Sequence, residues 1–211
     1  MSYLLPALCL VAFAYFCGAL PFGYWAGKMK GIDIRQHGSG NIGATNVIRV
    51  LGKKVGMPVF ALDALKGFLP TALALYWMRH VVGAEENVAT LIAALCGAAT
   101  VLGHMFTFWL GFKGGKGVAT TAGAMLGLAP LVLLIAVVVW VIAVYSTRYV
   151  ALASILAGFT LPAAAAILMP WNYVLIIFGA VIAVLVLVRH RSNISRMLAG
   201  TENRFKGGKK K

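Results

Sequence analysis

Several long apolar runs limit the possible folds of this sequence more than any other feature. A helix needs about 20 consecutive apolar residues to cross the hydrocarbon core of a bilayer. Runs of about this length are Leu4–Gly27, Val55–Trp77, Val88–Phe112, Tyr149–Met169 and Trp171–Val188. Only 11% of the 211 residues are charged, against about a quarter in a water-soluble domain. The sequence therefore predicts an all-α, polytopic integral membrane helical bundle, and it excludes a water-soluble domain and a disordered chain.

The stretch from Val118 to Ser146 is either one long tilted helix or two segments that break near Pro130. The 19 lysines and arginines of the chain decide between these alternatives. With a break, almost all of them fall on one side of the membrane and only Arg79 falls on the other, whereas without a break this asymmetry is lost. Lysine and arginine are concentrated on the cytoplasmic side of membrane proteins. The sequence therefore predicts about seven transmembrane segments, with the N-terminus outside and the C-terminus in the cytoplasm.

The break leaves Val118–Ala129 as a short apolar segment. Its length of about 12 residues, or about 18 Å of helix, is too short to cross a bilayer alone. We expect a helix that packs inside the bundle or lines a water-filled cavity, because irregular backbone at this depth must be shielded from lipid. The first apolar run has no small-residue cleavage site after it, so a retained anchor is expected. Residues 1–211 are predicted to form one domain, with cytoplasmic segments at 28–54, 113–117 and 189–205.

The first polar segment reads SGNIGATNVIR from Ser39 to Arg49. Its glycines permit backbone angles that turn successive N–H groups toward one point, which makes a nest for an anion. Arg49 lies one helical turn beyond Asn46, so its guanidinium can reach the same anion. The alternative is a glycine-rich turn that caps an interfacial helix. The candidate ligands in this segment, besides Arg49, are Ser39, Gly40, Asn41, Gly43, Thr45 and Asn46.

The second polar segment has the sequence KGGKG and precedes a predicted helix start. Free N–H groups at a helix N-terminus, with lysines beside them, form a phosphate-binding site in outline. The segment is not a Walker loop, because Gly-x4-Gly-Lys-Ser/Thr is absent and no strand precedes it. The alternative is a tight turn whose lysines stop membrane insertion. The candidate ligands here are Lys113, Gly114, Gly115, Lys116 and Gly117.

The third polar segment runs from Arg189 to Glu202. If it is helical, His190 and Asn193 share a face at i and i+3. The alternative is a basic juxtamembrane helix that lies on anionic lipid. Under the seven-segment topology all three polar segments lie on the cytoplasmic side, and this predicts a common site for an anionic substrate.

Two charged residues, Asp63 and Lys66, lie inside the second apolar run at i and i+3. Charged residues within a membrane often have a function. Here we expect the two charges to neutralise each other as a structural pair. His104 is expected to be an interfacial histidine near the cytoplasmic end of the third run.

The sequence lacks the residues that several chemistries need. Its 5 carboxylates are too few for a two-metal site, and its cysteines and histidines have no metal-ligand spacing, so no metal and no cofactor is predicted. The basic residues lie between membrane runs, so no nucleic acid is expected as a partner. An organophosphate transporter or channel is the alternative to an enzyme, but it requires polar residues through the outer halves of the spans. Leu131–Val144 and Val174–Val188 are almost wholly apolar.

Four signatures occur in order along nearly the whole chain. They are SGNxGATNVxR at 39–49, LDxLKGxxP at 62–70, GH at 103–104 with KGGKGVAT at 113–120, and RHRxNIxR at 189–196 with Gly200 and Glu202. In these signatures the chain resembles the bacterial acyl-phosphate:glycerol-3-phosphate acyltransferase family. The departures from the family pattern are Thr107, where proline is expected, and Ala151, where serine is frequent. A hydroxyl role near position 151 would have to fall on Ser154, which is therefore a candidate substrate-binding residue, or be missing.

The resemblance implies a multi-pass enzyme of the bacterial inner membrane whose active site faces the cytoplasm. It implies transfer of a fatty acyl group from acyl phosphate to the 1-hydroxyl of glycerol 3-phosphate. The products would be lysophosphatidic acid and phosphate, in the first acylation step of phospholipid synthesis. Besides these substrates, the implied partners are the lipid bilayer and an enzyme that produces acyl phosphate.

The residues are given roles on the basis of this resemblance. Ser39, Arg49, His190 and Asn193 are predicted to be catalytic. The loop at 39–46 and the glycines at 114–117 are expected to hold phosphates through N–H groups and hydroxyls, while Arg49, Lys113 and Lys116 supply positive charge. His190 and Asn193 are expected to orient the attacking hydroxyl, and the base is either His190 or a substrate phosphate.

Overall fold

A computed structural model describes residues 3–205, and this part of the chain contains ten α-helices and no strand. The helices are α1 Leu4–Gly18, α2 Phe22–Met29, α3 Ala44–Leu51, α4 Lys53–His80, α5 Glu86–Met105, α6 Val118–Leu128, α7 Pro130–Thr147, α8 Val150–Leu168, α9 Tyr173–Arg189 and α10 Arg191–Leu198. Two short 3₁₀ turns lie at Ile34–Gln36 and Phe108–Leu110. The all-α fold class is confirmed.

Within residues 3–205, five helical segments are long and apolar enough to cross a membrane. They are Leu4–Met29, Lys53–His80, Glu86–Leu110, Pro130–Thr147 and Val150–Leu168. A sixth span is added if α9 and α10, which meet at a bend of 55°, are counted together. Large apolar side chains are exposed along these segments, as hydrocarbon surroundings allow and water does not. These five to six spans define a multi-pass membrane protein.

The predicted break near Pro130 is confirmed. Helix α6 ends at Leu128, Ala129 leaves the helical conformation at φ −152° and ψ 76°, and α7 begins at Pro130. Proline suits this first position, because it has no N–H to bond there and its φ is already helical. The break also divides the chain into two compact units, one that ends at Leu128 and one that begins at Ala129.

In the first unit, the short helix α6 packs tightly against α4. A Cβ on Gly67 of α4 would overlap the carbonyl oxygen of Thr120, and a Cβ on Gly123 of α6 would overlap that of Ala64. Thr120 and Ala124 are fully buried. Small residues allow this approach, which gives membrane helices close van der Waals packing. The expected short helix packed inside the bundle is therefore present in this unit.

Close packing through glycines also joins α1 to α5 in the first unit. A Cβ on Gly18 would overlap the carbonyl oxygen of Thr100, and a Cβ on Gly103 would overlap that of Tyr15. Gly103 directly precedes His104, so this packing fixes where the end of α5 lies.

In the second unit, α8 packs against both α7 and α9. A Cβ on Gly179 of α9 would lie 2.8 Å from the nitrogen of Pro162 in α8, so these two helices also approach closely. The segment after α10 returns to the start of α8, since the N–H of Phe205 donates to the carbonyl of Arg148. This return brings Glu202 back over α10.

Candidate active site

The first polar loop is organised around the buried amide of Asn46, which is 1% exposed. Its Nδ2 donates to the carbonyls of His37 at 3.0 Å and Asn41 at 2.9 Å, and it lies 3.4 Å from that of Ile34. Its Oδ1 accepts from the N–H of Ser39 at 2.8 Å. The amide of Asn46 is thus bonded to the backbone of its own loop.

Two other bonds complete the loop. Asn41 Oδ1 accepts the N–H of Gly43 at 2.8 Å, which forms a tight turn before α3 begins at Ala44. Arg49 Nη1 donates to Asn46 Oδ1 at 3.3 Å from one turn further along α3. The predicted proximity of Arg49 to this loop is therefore observed. Arg49 and Thr45 are exposed, while Ser39 and Asn41 are half-buried.

Glycine is required at Gly38 and Gly40, where φ is +62° and +70°. Residues with a Cβ rarely adopt this left-handed backbone region. At Gly38 a Cβ would also overlap Asn46 Oδ1. The positive φ values therefore accompany a loop that wraps around one buried amide.

A carboxylate just before this loop is neutralised locally. The side chain of Arg35 bonds both oxygens of Asp33, with Nη2 2.7 Å from Oδ2, and this hydrogen bonding lowers the pKa of Asp33 to about 2. The guanidinium also lies 4.9 Å from the centre of the Tyr24 ring. Asp33 is therefore ionised at neutral pH, but its paired charge opposes the binding of an anion only weakly.

The second polar segment is a turn that closes against the end of α5. The N–H of Gly114 donates to the carbonyl of Met105 and the N–H of Gly115 donates to that of His104, both at 3.0 Å. The hypothesis that these two N–H groups hold phosphate is not supported, because they satisfy the last carbonyls of a helix instead.

The glycines of this turn have a steric role as well. A Cβ on Gly114 would overlap the carbonyl oxygen of His104, and a Cβ on Gly115 would overlap Nε2 of the same residue. Gly117 has a φ of +78° and directly precedes α6. The N–H groups in the first turn of α6 can bind an anion. Two lysines lie beside this turn, of which Lys113 is exposed and Lys116 is half-buried.

His104 was expected to be an interfacial histidine, but its side chain is buried within the protein, with only 4% exposed. Its Nδ1 lies 3.5 Å from Asp63 Oδ1, and Lys66 Nζ lies 2.7 Å from the same oxygen. Lys66 also donates to the carbonyl of Leu20 at 2.7 Å. The predicted Asp63–Lys66 pair is therefore present, and it has a third member that sequence spacing did not reveal.

In the second unit, His190 lies between α9 and α10 and Asn193 lies in the first turn of α10, and both are buried. His190 Nδ1 is 2.8 Å from the carbonyl oxygen of Val186. A carbonyl only accepts, so Nδ1 carries the proton in this contact and the lone pair of the neutral ring is on Nε2. That nitrogen is the one that can act as a base.

Asn193 and Arg196 share one carboxylate. Asn193 Nδ2 donates to Glu202 Oε1 and Arg196 Nε donates to Glu202 Oε2, both at 2.7 Å. The sequence signature includes Glu202 but does not indicate its partners. Its position after the end of α10 depends on the returning chain, which spacing along a helix cannot predict.

The hydroxyl of Ser154 is buried and has two partners within the second unit. It donates to the carbonyl of Val150 at 2.8 Å and accepts from Trp140 Nε1 at 3.2 Å. Ser154 therefore joins α7 to α8. Across residues 3–205 there is no group of three or more His, Cys, Asp or Glu side chains that could hold a metal ion.

The fold and the polar segments define a class, namely an all-helical integral membrane protein with basic, glycine-rich turns between its spans. The family model described as glycerol-3-phosphate acyltransferase matches residues 8–200. A glycerol-3-phosphate acyltransferase of Chlorobium phaeobacteroides is 42% identical over 233 residues, which cover 98% of this chain and 99% of the relative. The chain belongs to the glycerol-3-phosphate acyltransferase family.

Two solved structures are similar over nearly their whole length. The crystal structure of PlsY (YgiH), an integral membrane glycerol 3-phosphate acyltransferase, in its glycerol 3-phosphate form has a TM-score of 0.86 and 42% identity, covering 95% of this chain and 96% of that one. The lysophosphatidic acid form of PlsY has a TM-score of 0.83 and 41% identity over the same shares. The family recognised from the sequence signatures is therefore confirmed.

Proposed function

We propose that this protein transfers a fatty acyl group from acyl phosphate to the 1-hydroxyl of glycerol 3-phosphate, giving lysophosphatidic acid and phosphate. The observation that carries the proposal is the similarity over 95% of the chain to PlsY, whose structures are a glycerol 3-phosphate form and a lysophosphatidic acid form. The acyl phosphate donor rests on the resemblance of the signatures. This reaction would be the first acylation of phospholipid synthesis, and an enzyme that makes acyl phosphate would supply the donor.

The proposed topology has seven segments in the bacterial inner membrane, with the N-terminus outside. It counts the short helix α6 as one segment in addition to the five to six long spans. It is supported by the basic residues, which then lie almost all on the cytoplasmic side. In this topology the three polar segments face the cytoplasm, where soluble glycerol 3-phosphate is available.

Phosphate binding is assigned to the cationic parts of the first unit. Lys113 and Lys116 flank the turn that leads into α6, and the N–H groups of the first turn of that helix add a positive dipole end. The loop at 39–46 contributes the side chains of Ser39, Asn41 and Thr45. The N–H groups of Gly40 and Gly43 donate instead to the carbonyl of His37 and to Asn41 Oδ1, so these predicted ligands shape the loop. Asn46 acts by holding this loop in shape.

The chemistry needs little from the protein beyond position and charge. The oxygen of the 1-hydroxyl attacks the acyl carbonyl carbon, and the tetrahedral oxyanion then collapses with cleavage of the bond to phosphate. Because acyl phosphate is a mixed anhydride with a good leaving group, no covalent enzyme intermediate is required. Arg49 and Ser39 supply donors that stabilise the negative charge of the oxyanion. This stabilisation is a major contribution to the rate of acyl transfer.

His190 and Asn193 are assigned to orientation of the attacking hydroxyl. The proton of this hydroxyl passes either to Nε2 of His190 or to an oxygen of a substrate phosphate, and we favour the phosphate because carboxylates are so scarce in the chain. Neither step uses a metal or a cofactor. Ser154 is assigned a structural role, because its hydroxyl joins α7 to α8.

The direct test is an assay of the purified protein in detergent. Palmitoyl phosphate and glycerol 3-phosphate should give lysophosphatidic acid and inorganic phosphate in equal amounts, measured by mass spectrometry and by a phosphate assay. Addition of EDTA should leave the rate unchanged. Flux of glycerol 3-phosphate into protein-containing liposomes without product would instead identify a transporter.

A further inference from the structure

The buried cluster Asp63, Lys66 and His104 joins two helices of the first unit, α4 and α5, at one carboxylate oxygen. Lys66 and His104 approach Asp63 Oδ1 to 2.7 Å and 3.5 Å. Lys66 also bonds the carbonyl of Leu20, between α1 and α2. A buried charge is strongly unfavourable without a partner, so this arrangement fixes the position of Asp63. It therefore also constrains the imidazole of His104, whose Nδ1 lies 3.5 Å from the same oxygen.

The opposite edge of this imidazole lies against the second polar turn. The three atoms nearest to a Cβ on Gly115 would all belong to the His104 ring, and Nε2 would be the nearest. The carbonyl of His104 also accepts the N–H of Gly115 at 3.0 Å. His104 thus contacts Asp63 through one ring nitrogen and packs the turn against the other.

We propose that Asp63 and His104 are positioning residues, which set the backbone of the turn at 113–117 and thereby the placement of Lys116 and the start of α6. Asp63 orients the ring, and the ring forms the surface on which Gly115 rests. This inference depends on the proposed function, in which the turn binds a substrate phosphate. A displacement of the turn should weaken phosphate binding more than it slows the chemical step.

The close contact between the His104 ring and Gly115 provides the test, because a larger residue at 115 would collide with the ring. Gly115→Ala should lower kcat/KM about 100-fold, because a shift of the turn by about 1 Å misplaces its ligands. His104→Ala alone should lower kcat/KM about tenfold. The turn then loses the ring that supports it, but no side chain of the turn collides with α5. In the double variant His104→Ala/Gly115→Ala, the new methyl group occupies space that the ring has left. Its kcat/KM should be at least about tenfold above that of Gly115→Ala alone.

Gly114 offers a matched control in the same turn. The three atoms nearest to a Cβ on Gly114 belong to the backbone of His104 and Met105, which no side-chain truncation removes. His104→Ala should therefore fail to rescue Gly114→Ala. Rescue of both glycine variants, or of neither, would overturn the positioning role.

The positioning role of Asp63 is tested by measuring KM and kcat separately in variants at this position. Asp63→Asn leaves Lys66 buried without its carboxylate, so Asp63→Asn/Lys66→Met is made in parallel, and folding of each variant is checked by size-exclusion chromatography. In the folded variants, KM for one of the two phosphate substrates should rise about tenfold while kcat changes less than about twofold. A loss confined to kcat would overturn the proposal. If the wild-type protein forms no lysophosphatidic acid, the proposed function fails instead, and that outcome is distinguishable from a missing rescue.

Discussion

The backbone N–H of Ser39 donates a hydrogen bond to the side-chain oxygen of Asn46 at 2.8 Å, which ties the start of the first polar loop to the helix that ends it. The same amide donates to carbonyls at His37 and Asn41. One buried side chain therefore determines the loop shape on which Ser39 and Arg49 depend.

Replacement of Asn46 by alanine is predicted to disable the enzyme without any contact between Asn46 and substrate. The variant leaves part-buried backbone groups without a partner, each at a cost of about 1–3 kcal/mol. Displacement of Ser39 and Arg49 should lower kcat/KM about 100-fold. Kinetics and thermal unfolding in detergent measure the two effects.

Asn172→Ala is the matched control for this prediction. Asn172 also uses its side-chain oxygen to accept a backbone N–H, from Leu175 at 3.1 Å at the start of α9. Its loss should cost about 1 kcal/mol of stability, as for other helix caps, and leave kcat/KM within about twofold. Equal activity losses in the two variants would show that general destabilisation explains both.

Arg49→Lys is predicted to lower kcat about 100-fold, because the compact ammonium of lysine lacks the rigid, planar donor geometry that lets a guanidinium hold Asn46 and a developing oxyanion together. The guanidinium places Nη1 3.3 Å from Asn46 Oδ1, and its planar fork holds five N–H donors in a fixed geometry. Arg79→Lys, in a pair with Glu86 at the far end of α4, should leave kcat unchanged. An active Arg49→Lys variant would remove Arg49 from the catalytic role.

His190→Ala is predicted to lower kcat only about 10–100-fold, because we assign the base role to a substrate phosphate. General acid–base catalysis by a side chain is typically worth about 10²–10⁴-fold. Single-turnover kinetics on a folded variant would measure the loss in the chemical step. A loss beyond about 10³-fold would return the base role to Nε2 of His190.

The orientation of the chain can be tested by cysteine labelling. In a variant that lacks Cys9, Cys17 and Cys96, Lys113→Cys should react with a membrane-impermeant maleimide only in inverted membrane vesicles. Glu85→Cys, before α5, should react only in right-side-out vesicles or intact spheroplasts. Labelling of both positions from the same side would contradict the seven-segment topology.

The fold could be predicted largely from features that are local in sequence. Apolar runs of membrane-spanning length are set by composition, and the break at Pro130 followed from charge distribution together with the chemistry of proline. The ends of the helices were less predictable. The first run, for example, is two helices, because Ala19, Leu20 and Pro21 interrupt it.

The contacts of the candidate site residues were less predictable from the sequence than the helices. Asn46 was expected to donate to an anion, yet its partners are carbonyls of residues 34–41, whose positions depend on how the loop closes. His104 contacts Asp63 from a different helix, and no spacing rule relates residues 41 positions apart. Gly114 and Gly115 pack closely against His104 and Met105, and a sequence motif does not distinguish such packing from phosphate binding.

The most direct test of the central claim is a comparison of acyl donors with one acceptor. Purified protein is given glycerol 3-phosphate with palmitoyl phosphate, palmitoyl-CoA or palmitoyl-acyl carrier protein, each with and without EDTA, and lysophosphatidic acid is quantified. We predict product from palmitoyl phosphate alone, at the same rate in EDTA. Product from a thioester donor but not from palmitoyl phosphate, or a requirement for a divalent metal, would contradict this account.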